Sequence, residues 1–264
     1  MTCLTSGGSM EEMDNFITLI DKWDAHEEVG FCSQSVEIVF RAVYHTSNLL
    51  GVKAAAVQNR SVIHHIVELG AGLARAMRAE AEWTMSGHLP SLEEYMEVTV
   101  PSFGLGPIAL KPLYLIGPEL TEEVVRSLEY HEMFRHVATC TRRLNDLQTY
   151  DMEEEQGKTN SVLLLARCHG GTIEAAKAEV WSTIMASRRE LLRMVVRDGG
   201  AVPRPVRQEF WNICKIAHLL YKDKDGFSST RETIHAANAV MHEPLSWGEE
   251  GRSTPRLPPH QYKL

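Results

Sequence analysis

Residues 142–165 read RRLNDLQTYDMEEEQGKTNSVLLL. Asn145, Thr149 and Glu153 are spaced i, i+4, i+8. On a helix, at about 100° per residue, they drift only about 80°, so an amide, a hydroxyl and a carboxylate share one face. These are hard oxygen donors. They suit Mg²⁺, which prefers oxygen and keeps waters or substrate phosphates in its shell. Arg142, about one turn before Asn145, can pair with a phosphate on such an ion. Taken alone, a polar set at this spacing also fits a helix face turned to water.

Outward from this stretch the chain reads helical. Residues 10–24 place Met13, Phe16, Ile17, Ile20 and Trp23 at helical spacing, with Ser9 and Glu12 as a capping box. Residues 34–50 follow, with Val36, Val39, Phe40, Val43 and Leu50 near one face. Residues 54–86 continue without proline as one long pattern, and Ser91 with Glu94 repeats the capping-box spacing. The segment 100–120 holds Pro101, Pro107, Pro112 and Pro118 with Gly104, Gly106 and Gly117. It is too apolar for a surface linker, so helix pieces broken by proline and glycine and buried against the core are expected. Thr121 caps a helix that runs, with one break, to about 156, where Gly157 ends it. Helices over 172–197, 204–221 and near 229–241 complete a set of roughly eight to ten. Strand signals are nearly absent, and the fold expected is one all-α domain.

Composition narrows the function. Lys plus Arg total 27 and Asp plus Glu 35, a formal charge of −8 over 264 residues, which argues against a general nucleic-acid binder. The five cysteines include no CxxC pair, so neither a zinc ribbon nor a disulfide framework is expected. No apolar run reaches the roughly 20 residues of a membrane span. Near-motifs fail on geometry. His131 and His136 are i, i+5 and leave one helix face, Gly104-Leu105-Gly106 follows no strand, and Tyr221 cannot open the calcium-loop pattern of Asp223, Asp225, Gly226 and Glu232. His64-His65 reads as structural or exposed.

Asn145, Asp146, Thr149 and Glu153 match the pattern (N/D)Dxx(S/T)xxxE, and Gly157-Lys158-Thr159-Asn160-Ser161-Val162 continues it. This stretch resembles the second metal-binding motif of class I terpene synthases, with the continuation found in plant diterpene synthases of the ent-kaurene synthase type. Gly7-Gly8-Ser9, Leu92-Glu93-Glu94-Tyr95-Met96, Ser102 to Ile108, Phe210-Trp211-Asn212 and Asp225-Gly226-Phe227 sit in the same order, so the resemblance covers about residues 6–246. It implies an all-α class I terpenoid synthase fold over 1–246, followed by a loose tail at 247–264. It implies that Asn145, Thr149 and Glu153 bind Mg²⁺, with Mn²⁺ as a substitute, and that Arg142 holds the diphosphate. Ile108, Phe103, Tyr221 and Asp225 would line or close the pocket. Trp83, Tyr114 and Trp211 are further candidate rings by chemistry alone. The implied reaction is metal-assisted ionisation of a copalyl-type prenyl diphosphate and its cyclisation to a kaurene-like diterpene.

The family's first motif, DDxxD, aligns with Met1, Thr2 and Thr5, none of them acidic. The expectation is therefore an N-terminally truncated α-domain, with an inactive remnant or a helical interaction module as alternatives. Members of the family act in plastids. This chain shows no transit peptide, and a cytoplasmic location is expected for it as written.

Overall fold

The computed structural model describes residues 8–168 and 170–222, with isolated positions 225, 231, 234, 235 and 238 beyond them. The chain divides into units Met1–Asp225 and Gly226–Leu264. The positions aligned with DDxxD, Gly7, Gly226-Phe227, the expected boundary at 246 and the tail lie outside the described residues, as does most of the helix expected at 229–241.

Among the described residues the structure is helical throughout: α1 (Met10–Asp21), a 3₁₀ turn (Trp23–Glu28), α2 (Gln34–Gln58), α3 (Ile63–Ser86), α4 (Leu92–Ser102), a π-turn (Gly106–Leu110), α5 (Lys111–Ile116), α6 (Glu122–Val125), α7 (Leu128–Glu155), α8 (Ser161–Cys168), α9 (Ile173–Val196) and α10 (Arg204–Leu220). None of these helices is long and apolar enough to cross a membrane. Both capping boxes form as expected, Ser9 with Glu12 and Ser91 with Glu94. Each satisfies two backbone donors that a helix start otherwise leaves open.

Three expectations need correction. The long pattern over 54–86 is not one helix: α2 stops at Gln58, and Asn59 takes the left-handed conformation with φ 52° before α3 starts. Asparagine tolerates that region better than other residues with a side chain, so one polar residue breaks an otherwise continuous pattern. On α1, Leu19 is fully buried while Ile17 is half-buried. The third correction is α8, which the apolar pattern did not announce. Asn160 starts it, its side-chain Oδ1 accepting from the Val162 amide at 2.8 Å.

The proline-rich segment breaks as expected. Gly104 ends α4 at φ +79°, a value that favours glycine. Pro107 and Pro112 have no amide hydrogen to give, and the backbone between them re-forms as the π-turn.

Two apolar cores result. The larger joins α7, through Tyr130, Met133, Val137 and Leu144, to the π-turn and to α5, α9 and α10. The smaller joins Phe16, Leu19, Ile20 and Trp23 to Val36 and Phe40 of α2 and Ala71 of α3. In it the Phe16 and Phe40 rings meet edge-on at 6.3 Å, a favoured aromatic geometry.

The loop between α9 and α10 is pinned by one buried carboxylate. Glu129 of α7 accepts from the amides of Ala201 (2.6 Å) and Val202 (3.1 Å) and pairs with Arg197 at 2.9 Å. Gly200, at φ +115°, lets the backbone pass over it, and a Cβ there would lie 2.6 Å from Glu129 Oε1. Gly200→Ala therefore combines backbone strain with a clash against a carboxylate that has no slack. It is expected to destabilise the chain by about 1–3 kcal/mol in denaturant unfolding. An unchanged midpoint would show that the loop is not held there.

Candidate metal and diphosphate site

The centre of the site is a charge pair buried on α7. Arg142 Nη2 lies 2.8 Å from Asp146 Oδ1, one turn along the helix, and Asp146 is fully buried. The Tyr95 hydroxyl, delivered by α4, donates to Asp146 Oδ1 at 3.0 Å and accepts from Arg142 Nε at 3.1 Å. Ser161, the first residue of α8, donates its hydroxyl to the other carboxylate oxygen. The guanidinium carbon sits 5.4 Å from the Tyr95 ring centre and 5.9 Å from that of Phe103, close enough for a cation–π attraction. Burial works against the Arg142 charge, but Asp146, Tyr95, Glu153 and Glu80 together outweigh it and hold the guanidinium firmly protonated. Burial, then the Asp146 charge, keeps the Tyr95 phenol neutral.

The three predicted ligands lie beside this pair. Asn145 and Thr149 are buried and Glu153 is half-buried. The Thr149 hydroxyl donates to the Asn145 carbonyl at 3.0 Å and also contacts Glu153. Its single proton serves the Asn145 carbonyl and the Glu153 carboxylate, both acceptors, while lone pairs remain for a cation. Burial raises the Glu153 pKa, with Arg142 and the Asn160 amide opposing it. A hydroxyl, an amide and a carboxylate brought together beside a guanidinium are a donor set that fits a hard divalent ion and the anion it would carry.

Tyr221, at the end of α10, hydrogen-bonds the Asn145 side chain, and its carbonyl accepts from Gln148 Nε2 at 3.1 Å. Asp225 lies near enough to raise its phenol further, behind the larger effect of burial. The Phe103 and Tyr221 ring centres are 6.5 Å apart. These two rings join the site. Trp83 and Trp211 do not: Trp83 sits by His88 and Trp211 lies under Arg188; Tyr114 stacks on His65 and lines an apolar cavity. Ile108 projects from the π-turn, 68% exposed.

An apolar cavity of about 270 Å³ is lined by Leu69, Pro101, Gly106, Pro107, Leu110 and Phe134 among others. Phe134 stands eleven residues before Asn145, about 20° around α7 and about 16 Å along it, and Arg142, Asn145, Thr149 and Glu153 are not among the residues that line the cavity. A larger depression, about 410 Å³ between α1 and α3, holds none of the predicted residues.

Four further residues belong to the site. Tyr95, Asn160 and Ser161 were inside the quoted motifs but had no role assigned. Glu80 of α3 accepts from Ser102 at 2.6 Å and lies within electrostatic reach of Arg142 and Asp146. No local pattern marks it, because its partner is in another helix.

Among the described residues, His64, His65 and Glu122 also bring ligand atoms within 4.8 Å of one another. Here the carboxylate is already neutralised: Arg60 Nη1 is 2.7 Å from Glu122 Oε1, and Arg126 Nε 3.1 Å from Oε2. The cluster is an ion-pair latch joining the ends of α2 and α3 to α6. Hydrogen bonds from His65 and then Arg126 lower the Glu122 pKa to about 2.

Residues 3–190 match the model of the terpene synthase family, metal binding domain. The chain is 63% identical over 241 residues to a chloroplastic dolabradiene synthase of Zea mays, covering 90% of this chain and 28% of the relative. It is 51% identical to the chloroplastic ent-kaur-16-ene synthase of Oryza sativa subsp. japonica, covering 90% of this chain and 32% of that protein. It thus spans about a third or less of these relatives. Among solved structures it superimposes on isoprene synthase from grey poplar, in complex with three Mg²⁺ ions and dimethylallyl-S-thiolodiphosphate. The TM-score is 0.82 at 19% identity, covering 93% of this chain and 47% of that one.

Two outcomes test this geometry. Tyr95→Phe removes the hydroxyl shared by Arg142 and Asp146 and is expected to cost about 1–3 kcal/mol, because it leaves a buried charge pair short of a donor. Stability indistinguishable from the parent would assign the pair's support elsewhere. Glu122 binds its proton less readily when folded than when unfolded. Its contribution is complete above its ordinary 4.5 and is lost as pH falls toward 2. Glu122→Gln is expected to flatten the fall of melting temperature across that window, and an unaltered slope would count against the latch.

Proposed function

The chain belongs to the terpene synthase family, and from that premise we propose that it forms the carboxyl-terminal part of a class I diterpene synthase α-domain. Its substrate is a copalyl-type bicyclic diphosphate. The reaction is Mg²⁺-dependent ionisation followed by cyclisation to a kaurene-like diterpene. The observation that carries this reading is the placing of Asn145, Thr149 and Glu153 beside the buried Arg142–Asp146 pair on one face of α7. The product names of the diterpene synthases of Zea mays and Oryza sativa support the same class.

Each part of the chain has a defined task in this reading. Asn145, Thr149 and Glu153 would hold one divalent cation; Mg²⁺ suits the donor set, and Mn²⁺ would substitute. The bound metal would supply Lewis-acid neutralisation of the diphosphate's growing negative charge as the allylic C–O bond breaks. Arg142 would pair with the same diphosphate, and Asp146 and Tyr95 would keep its guanidinium aimed and charged. The cavity wall at Leu69, Pro107, Leu110 and Phe134 would exclude water, so that the carbocation closes rings instead of being hydrated. Phe103 and Tyr221 would face that cation with their rings. Asp225 would act beside Tyr221 at the mouth; Ile108, exposed on the π-turn, is not among the residues that line the cavity. The chloroplast named for the Zea mays and Oryza sativa relatives would be the site of action.

A helical interaction module is not favoured: it needs no buried guanidinium–carboxylate pair beside an oxygen-donor set. The test is to incubate the purified, folded chain with ent-copalyl diphosphate and Mg²⁺ and read hydrocarbon by mass spectrometry. A diterpene is expected that falls on the order of a hundredfold or more in Asn145→Ala, the loss of several kcal/mol of charge stabilisation. No hydrocarbon from a folded chain would overturn catalysis by this chain on its own.

A further inference from the structure

Asn160 is fully buried just ahead of α8, and its side chain makes contacts in three directions. Its Oδ1 accepts from the Val162 amide at 2.8 Å. Its Nδ2 donates to the Asp146 backbone carbonyl at 3.1 Å and to Glu153 Oε2 at 2.7 Å. These partners fix which end of the amide is which. Val162 supplies a donor and can face only the oxygen; Asp146 and Glu153 supply acceptors and can face only the NH₂. A flipped amide would set its oxygen against two acceptors and its NH₂ against another N–H. Both protons of the NH₂ are engaged, one of them on the carboxylate that ends the i, i+4, i+8 set.

We propose that Asn160 is the positioning residue for Glu153, holding one carboxylate oxygen by hydrogen bond so that the other is presented to a divalent cation from a single fixed side-chain conformation. This rests on the proposed metal site. The placement has a physical purpose. Glu153 is half-buried near the end of α7 and three rotatable bonds from the backbone. Freezing such a side chain only on binding costs conformational entropy, and a hydrogen bond made beforehand removes much of that cost. Engaging one oxygen also favours one-oxygen coordination, which suits the compact octahedral shell of Mg²⁺ better than a chelating carboxylate. Because the same amide caps α8 and holds the carbonyl of Asp146, the metal-facing carboxylate is tied to the helix that also delivers Ser161 to Asp146.

The test separates positioning from capping. Asn160→Ser keeps an oxygen that can cap Val162 but has no NH₂ to give to Glu153 or the Asp146 carbonyl; Asn160→Ala loses all three contacts. Binding of Mn²⁺ in the presence of inorganic diphosphate is read from the electron paramagnetic resonance signal of free Mn²⁺, for the full chain and for each variant. Melting curves are recorded alongside. The expected result is that Asn160→Ser melts between the parent and Asn160→Ala, still folded, yet binds Mn²⁺ about tenfold or more weakly than the parent, the usual size of a loss behind a metal ligand. Asn160→Ala should lose affinity and also melt lower. Parent-like affinity in a folded Asn160→Ser would overturn the positioning role, and this arm decides even where Asn160→Ala does not fold. Asn145→Ala separates the two levels of the argument. If it abolishes binding while Asn160→Ser does not, the metal site stands and the role of Asn160 falls. If the parent chain itself binds no Mn²⁺, the metal site falls and takes the inference with it.

Discussion

A guanidinium and a carboxylate taken out of water on α7 constrain everything around them. The desolvation cost of two buried ions amounts to several kcal/mol each, and attraction between them offsets it only where the remaining hydrogen-bonding capacity is also met. Arg142 and Asp146 meet it by recruiting from outside their helix: Tyr95 from α4 on one side and Ser161 from α8 on the other. The positions of three helices are thereby fixed relative to one pair of charges. A shift of any of them by an ångström would leave a buried ion without a partner, which costs far more than a small repacking of aliphatic side chains.

The same arrangement explains how a helix can be buried on both faces. α7 turns Tyr130, Met133, Val137 and Leu144 to the apolar core, and sets Arg142, Asn145, Asp146 and Thr149 on another side, also shielded from solvent. The polar side keeps its charge and its donors because partners were built for them. Beyond the polar stripe, Phe134 and the π-turn form an apolar wall. A site with fixed dipoles at one end and a largely apolar wall at the other can stabilise charge where it forms while limiting the water near what is left behind.

Much of this could be read from the residues. Helix starts were announced by side chains that act within one turn, Ser9, Ser91 and Thr121, and capping is a local interaction. The face shared by Asn145, Thr149 and Glu153 follows from helical periodicity alone. The break at Asn59 escaped because it is a single residue entering the left-handed region inside an apolar pattern that continues on both sides. The helix Ser161–Cys168 escaped because its start is stabilised by an amide whose other bonds reach back to α7. Tyr95, Glu80 and Asn160 act through partners on other helices, 51, 22 and 7 residues away in sequence. Pairings of that kind are fixed by packing and leave no periodic trace. The rings show the same limit. Phe103 and Tyr221 converge and Tyr114 lines the cavity, while Trp83 and Trp211 do neither, and aromatic chemistry alone does not distinguish them.

The division of the apolar interior into two clusters has a consequence for how the molecule breathes. The smaller, aromatic cluster couples α1 and the start of α2 to α3, while the larger surrounds α7 and the helices that pack on it. Cooperative units in proteins follow such boundaries, and the unit with less buried surface opens at lower free energy. Amide protons of α1 would then exchange with solvent through an opening that leaves those of α7 protected. The polar set on α7 would keep its geometry through fluctuations that carry away the amino-terminal helices.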